Sequence, residues 1–244
     1  PSSADYHRGA VCCGGKDFCV SDLYHGNSVS TYENYSEVSK HYDKTRVPVG
    51  GEILIGVLAL SRKSRSEFRL LDAGCGTGAY AHLVLPHVDR LEAIDINPGM
   101  LFVAQQKLAD GAKDCHVAFH QGSIESLPFA ADHFDGVMFN QVLHHLETGG
   151  DGGFSGHRSA LAEAHRVLRP GGVVSVNCCS HEQLRQGFWF MHLIPTALEE
   201  LFGRCIPATE LEVMLGELGF AVEGRFVPLD GVLQGAAYAD AEGP

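Results

Sequence analysis

No apolar run in this chain approaches the ~20 residues that a membrane-spanning helix needs. Ile53 to Leu60 is among the longest, and a core helix accounts for it. Basic residues are scarce. Eighteen Lys and Arg face thirty Asp and Glu, for a formal net charge of −12. Such a surface repels polyanions, so nucleic acid and anionic membrane are not expected partners. The one basic run, Ser61 to Ser66, reads as a solvated loop. No secretory h-region stands in the first residues, although the chain starts at Pro1, which leaves a processed segment open. Metal-ligand spacing is missing too. Cys12, Cys13 and Cys19 lie near His7 and His25, but no Cys-x-x-Cys pair occurs, so no metal is expected. The eight cysteines are scattered, unlike a secreted disulfide framework. Reduced thiols and a cytoplasmic location follow as expectations. There is no internal repeat and no sign of a second domain.

What is present is concentrated in one turn. Phe68 to Leu71 is a short apolar run, and Ala79 to Leu85 suits a helix. Between them stands Asp72-Ala73-Gly74-Cys75-Gly76-Thr77-Gly78. Glycines at alternate positions let the backbone turn sharply and approach a ligand closely. Strand, glycine turn and helix together indicate a nucleotide-binding α/β domain. The nucleotide stays open at this point, because Gly74-x-Gly76-x-x-Ala79 also satisfies the dinucleotide fingerprint.

Four further blocks follow in order. Glu92 to Asn97 reads as a second strand ending in acidic Asp95. Gly122 to Phe129 is a loop. Phe134 to Leu146 contains a fourth strand and His144-His145. Ala164 to Gly172 is a helix running into Pro170-Gly171-Gly172. With the glycine turn, these blocks resemble the motifs of class I S-adenosylmethionine-dependent methyltransferases over roughly residues 42 to 180. The small-molecule, ubiquinone- and menaquinone-methylase-like branch is the most similar. The resemblance implies a doubly wound, mostly parallel seven-stranded sheet of Rossmann-like methyltransferase type. It also implies S-adenosyl-L-methionine as cofactor. On that reading Asp72, Gly74, Gly76 and Gly78 form the cofactor turn. Asp95 binds the ribose hydroxyls, with Ile96 beside it. Ser123 and Ile124 lie over the adenine, where the family often has an acid in place of Ser123. Asn140 is a further cofactor contact. Tyr42 and Arg46 belong to a segment that folds over the cofactor as a lid.

Residues 1–40 show no sustained periodicity and read as an extension, partly flexible or wrapped as a lid. Residues 41–244 read as a single domain. Glu52 to Leu60 is an apolar helix. Strands are expected at Phe68–Asp72, Leu91–Asp95, His116–His120, Phe134–Asn140, Val173–Asn177 and Phe220–Val227. Asn97-Pro98 reads as helix cap and first turn, and Gly149 to Gly156 as a flexible insertion. Gln183 to Leu201 is aromatic and reads as helical. Thr209 with Glu212 fits a capping box, and Gly219 stops that helix. The family's last, antiparallel strand falls on a weak stretch, Gly235 to Asp240, so it is irregular or absent.

The acceptor side is read by position. His144 and His145 follow the fourth strand, at the carboxyl edge where ligands of open α/β sheets sit. Either can serve as a general base. His181, Trp189 and His192, with Phe190, follow the fifth strand and line the acceptor pocket. An aromatic cluster there suits an apolar or cationic acceptor. The reading is in-line methyl transfer from S-adenosylmethionine to a small-molecule O, N, S or C nucleophile. Protein or arsenite methylation, nicotinamide-dependent dehydrogenation and a non-catalytic cofactor-binding partner are the alternatives.

Overall fold

The computed structural model describes residues 7–13, 43, 46–61, 63–109, 115–149, 152–187 and 195–228. Its sheet has seven strands: β1 His7–Cys13, β2 Arg69–Ala73, β3 Arg90–Asp95, β4 His116–Gln121, β5 Phe134–Asn140, β6 Leu168–Cys178 and β7 Phe220–Phe226. Their order is β4-β3-β2-β5-β6-β1-β7, and the pairings are parallel. Seven helices accompany them among the described residues. These are α1 Gly51–Ala59, α2 Ala79–Val84, α3 Pro98–Ala109, α4 Ser155–Val167, α5 His181–Gly187, α6 Pro195–Arg204 and α7 Ala208–Glu217.

Strands buried on both faces need apolar residues at successive positions, and the central strands have them. On one face Leu71, Val137, Phe139, Val174 and Val176 pack with Leu161 and Ala164 of α4 and with Leu211 and Leu215 of α7. On the other, Leu70, Met138 and Val173 pack with Leu54 and Leu58 of α1 and with Ala81 and Val84 of α2. This is the doubly wound architecture. The strand order reverses between β2 and β5, which opens a crevice beyond their carboxyl ends.

The structure departs from the sequence reading in three places. His7–Cys13, which carries no strand periodicity, is a strand between β6 and β7 and parallel to both. The stretch Gly235 to Asp240, read as an irregular or absent antiparallel strand, lies outside the described residues. Second, β6 starts at Leu168, directly after α4, and runs through Pro170-Gly171-Gly172. The ladder skips there, with Leu168 opposite Phe134 and Val173 opposite Gly136, so the extra residues form a bulge. Gln183 to Leu201 is helical at both ends, in α5 and α6, and residues 188–194 lie outside the described residues. Third, the capping box at Thr209 is absent. Helix α7 begins at Ala208 with no side-chain cap. Glu212 instead accepts from the guanidinium of Arg225, whose Nε lies 3.0 Å away. The cap at α3 is as expected, with Asn97 Oδ1 accepting from the amides of Gly99 (2.8 Å) and Met100 (3.1 Å).

Candidate functional site

The glycine turn is stitched to the neighbouring strand. The amides of Gly74 and Cys75 both donate to the Ile94 carbonyl, at 2.8 and 3.0 Å. The Gly76 amide donates to Asp95 Oδ2 at 2.8 Å, and the Asn97 amide to Oδ1 at 2.9 Å. Burial raises the Asp95 pKa, and these backbone hydrogen bonds oppose the rise. Each carboxylate oxygen keeps a second lone pair for a ligand hydroxyl. Two glycines in the turn do different work. Gly74, at φ +78°, leaves no room for a side chain, since a Cβ there would lie 2.3 Å from Val142 Cγ2. Gly76, at φ +51°, has nothing within 4 Å of that position, so its outer side is open to a ligand.

A row of polar groups without protein partners lies beside the turn. Asp72, Met138 and Ser175 stand in register across β2, β5 and β6, so their side chains share one sheet face. Asp72 is buried, and neither carboxylate oxygen has a hydrogen-bond partner. Ser175 Oγ is equally unpartnered, as are both polar side-chain atoms of Asn140 at the end of β5. Burial, reinforced by the Asp95 charge, raises the Asp72 pKa to about 8. An unpaired buried carboxylate is costly. A cationic ligand group placed against it relieves that cost. S-adenosylmethionine fits these residues: its ammonium group suits Asp72, and its ribose hydroxyls suit the Asp95 oxygens. Ile96 is half exposed beside Asp95 and offers an apolar face. Ile124 is buried in the core on the other side of the sheet edge. Ser123 Oγ accepts from the Glu125 amide at 3.1 Å, which commits one of its lone pairs locally. Cys75 is buried among these groups, and burial with the Asp72 and Asp95 charges raises its thiol pKa well above normal. It is therefore an inert thiol.

The segment before α1 is tied down at two points. Asp43 accepts from Thr77 Oγ1 at 2.7 Å and pairs with Lys107 of α3 at 2.7 Å. Six residues on, the Val49 amide donates to the Tyr80 hydroxyl (3.1 Å), and the Val49 carbonyl accepts from Asn177 Nδ2 (3.1 Å). Asp43 thus latches the segment that carries Arg46 to the glycine turn. Tyr42, read from sequence as part of this lid, lies outside the described residues. Asp43→Ala is expected to weaken binding of S-adenosylhomocysteine, the demethylated cofactor, about three- to tenfold. A partly exposed, charge-assisted contact is worth about 1 kcal/mol. Calorimetric titration checks this, and an unchanged dissociation constant in folded protein would remove the latch from the site.

On the acceptor side, the chain leaves β5 through Gln141, a left-handed residue at φ +54°. Its amide donates to the Asn177 carbonyl at 2.8 Å, and its Nε2 to Asn177 Oδ1 at 2.9 Å. A short 3-10 turn then presents His144 and His145 with ring centroids 4.0 Å apart. Burial, then the positive charge of Arg204, lowers the His145 pKa to about 4. Burial also drives the His144 pKa well below its usual value, helped by His145, Arg204, His157 and Arg46. Both rings are neutral at pH 7. His157 of α4 is fully buried with both ring nitrogens unpartnered, and burial lowers its pKa to about 4. His181 opens α5, and its Nε2 donates to the Cys205 carbonyl at 2.6 Å, joining the end of β6 to the end of α6. Trp189, Phe190 and His192 lie outside the described residues. Sequence reasoning missed Asp43, His157, Ser175 and Arg204. Only Asp43, inside the Tyr-Asp-x-x-Arg segment, carried a signal that could have found it.

Residues 71–176 match the family described as Methyltransferase domain. Over that stretch, which is less than half of the chain, it is similar to the class I S-adenosylmethionine-dependent methyltransferases. S-adenosyl-L-methionine is the cofactor of this methyltransferase domain. The chain is 33% identical over 138 residues to the uncharacterized methyltransferase YcgJ of Bacillus subtilis (strain 168), covering 57% of this chain and 51% of that protein. It is 33% identical over 115 residues to the ubiquinone/menaquinone biosynthesis C-methyltransferase UbiE of Coxiella burnetii, covering 46% of this chain and 43% of the relative. The chain thus spans about half the length of the curated relatives it matches. A solved S-adenosylmethionine-dependent methyltransferase from Aquifex aeolicus shares the fold at a TM-score of 0.55 and 19% identity, over 75% of this chain and 87% of that one. Among the described residues of this methyltransferase, no helix is long and apolar enough to cross a membrane. No group of three or more His, Cys, Asp or Glu able to hold a metal occurs among them either.

Proposed function

We propose that this methyltransferase acts on a small-molecule O, N, S or C nucleophile. The acceptor is held between the turn after β5 and the segment after β6. The observation that carries this reading is the His144–His145 pair, two neutral imidazoles at the carboxyl edge of β5, one strand from the glycine turn. The cofactor supplies an activated methyl group on a good leaving group. Positioning can therefore supply most of the rate. Asp72, Asn140 and Asp95 hold and orient the cofactor, with Arg46 and Tyr42 in the segment above it. Ser123 and Ile124 border the adenine end. His144 and His145 hold the acceptor, and one of them takes its proton where the nucleophile must lose one. His181, Trp189 and His192 shape the rest of the pocket. A cytoplasmic setting suits the buried thiols of Cys75, Cys115 and Cys205.

Single-turnover methyl transfer from labelled cofactor, with a metabolite extract as acceptor source, tests this reading. A base with a ring pKa near 4 is charged only below that pH, so the rate should stay level from pH 7 to 5 and fall through about pH 4. His145→Ala should lower the rate about 10²-fold and remove that acid limb. If His144→Ala and His145→Ala both keep the wild-type rate and pH profile, neither histidine acts on the acceptor.

A further inference from the structure

The amino edge of the sheet, opposite the glycine turn, holds a cavity of about 460 Å³. Ser61 and Lys63 line it from the loop before β2, Asp132 and Asp135 from the entry to β5, and Arg169 and Gly171 from the bulge of β6. The lining is almost wholly polar, unlike that of a pocket for an apolar ligand. One buried carboxylate, Asp135, holds two cations here. Lys63 Nζ lies 2.8 Å from Oδ1, and Arg169 NH1 lies 2.8 and 2.9 Å from the two oxygens. Neither cation is exhausted. An ammonium group has three N–H donors and a guanidinium five. Lys63 Nζ spends one on Asp135. Arg169 spends Nε on the Asp132 carbonyl at 3.2 Å and NH1 on Asp135, which leaves NH2. Both side chains are partly exposed. The other acid of the lining, Asp132, is exposed, so water and salt screen its charge. Two more cations reinforce the edge. Arg69, whose amide donates to Asp135 at 3.0 Å, stands in register with Arg90 of β3. Like charges side by side on neighbouring strands repel. Arg90 has a loose pair with Asp89, at 3.7 Å from Nε. Burial lowers the pKa of His133, next to Asp132, and Arg69, Arg169 and Arg90 lower it further against the pull of Glu92. Such an edge stands out in a chain of formal net charge −12. Gly171 gives the cavity an open wall, since at φ +76° nothing lies within 4 Å of an added Cβ.

The geometry points to a second binding site in this amino-edge cavity, which takes the phosphoryl group of a small molecule on Arg169 and Lys63. It is separate from the cofactor turn and the acceptor residues, which lie beyond the opposite ends of the strands. Phosphate chemistry fits the donors that remain. A guanidinium offers paired N–H groups to phosphate oxygens, and an ammonium adds a compact point charge. The volume lies within the range of roughly 300–1,000 Å³ usual for small-molecule sites. The net charge of −12 repels long polyanions, so the ligand is small. Bound there, it bridges the loop before β2, the entry to β5 and the bulge of β6. It adds negative charge where Lys63 and Arg169 share one carboxylate. Binding to the folded protein alone therefore stabilises it.

The probes are inorganic phosphate and pyrophosphate, titrated calorimetrically into the full chain with and without S-adenosylhomocysteine. At least one should bind, with the same affinity in both conditions, and raise the denaturant midpoint. The tighter of the two tells a single phosphoryl group from a diphosphate. Lys63→Gln should weaken binding about tenfold. Arg169 is kept, because it also clamps the fold through Asp135. Gly171→Asp places a carboxylate on the open wall and should weaken binding at least tenfold. Gly171→Asn, of the same shape without the charge, should stay within about threefold. Asn and Asp both tolerate a left-handed φ, and neither touches the Asp135 clamp, so these two variants keep the test independent of folding. The proposal is overturned if neither anion binds, or if Lys63→Gln and Gly171→Asp bind as tightly as wild type. Displacement of the anion by S-adenosylhomocysteine would also overturn it, since that places the anion in the cofactor crevice.

Discussion

Gly76→Val is expected to abolish binding of S-adenosylmethionine, by at least 100-fold, while leaving the protein folded. The position has no protein atom within 4 Å of an added Cβ, so the side chain points into ligand space rather than into the core. A valine there fills that space. Its stiff, branched side chain also resists the left-handed φ of +51°. The strain of one such residue costs about 1–3 kcal/mol, which a folded domain can survive. The contrast is Gly74, where a Cβ would lie 2.3 Å from Val142 Cγ2 and the damage would be to packing. Circular dichroism and calorimetry on Gly76→Val separate the two effects. Near-normal affinity in folded protein would place the cofactor elsewhere.

The largest stability effect is expected at the opposite end of the sheet. Asp135 opens β5, is 2% exposed, and has three partners. It accepts from the Arg69 amide at 3.0 Å and from Arg169 NH1 at 2.8 and 2.9 Å, and it pairs with Lys63 at 2.8 Å. These contacts clamp the bulge of β6 and the loop before β2 onto β5. Asp135→Ala should destabilise the fold by about 3 kcal/mol, because it leaves Arg169 and a backbone amide without their acceptor. Burial alone would raise the Asp135 pKa, but Lys63, the Arg69 amide and Arg169 outweigh it, and the folded-state pKa is lowered. A carboxylate with a lowered pKa stabilises the folded state above its unfolded value, near 4. That contribution is lost as pH falls from there through the folded value. Denaturant midpoints of wild type and variant should therefore converge below pH 4. A constant gap down to pH 2 would contradict the assignment.

The two predictions mark what the sequence carries and what it does not. The glycine turn, Asp72, Asp95 and the central strands are written in local patterns: glycine spacing, apolar runs and an acid at a strand end. The parallel core of β2 to β6 follows from them. Asp135 and its partners are not local. Lys63, in the loop before β2, and Arg169, beside the bulge of β6, lie far from it in sequence and meet it only in the folded protein. Asp43 is similar, since its contact with Thr77 crosses 34 residues. β1 was invisible because His-Arg-Gly-Ala-Val-Cys-Cys lacks alternation, and its strand geometry comes from β6 and β7 on either side. The capping box failed because the helix starts at Ala208, which puts Thr209 inside the first turn rather than at the cap, and Glu212 accepts from Arg225 of β7. The sequence put His144 and His145 just after the fourth strand, and they follow β5 in a 3-10 turn. The charge of Arg204, the last residue of α6, acts on both rings, and no local pattern in the sequence signals that.

The most direct test of the account is calorimetry of S-adenosylhomocysteine and NAD with the wild-type protein, in buffers of different ionisation heat. The free Asp72 carboxyl has a pKa raised to about 8, so at pH 7 it is about nine-tenths protonated. A cationic ammonium group placed against it lowers that pKa and expels the proton. The account predicts binding of S-adenosylhomocysteine with release of close to one proton at pH 7, falling toward zero by pH 9, and no binding of NAD. Tighter binding of NAD, or cofactor binding with no proton release at pH 7, would contradict it.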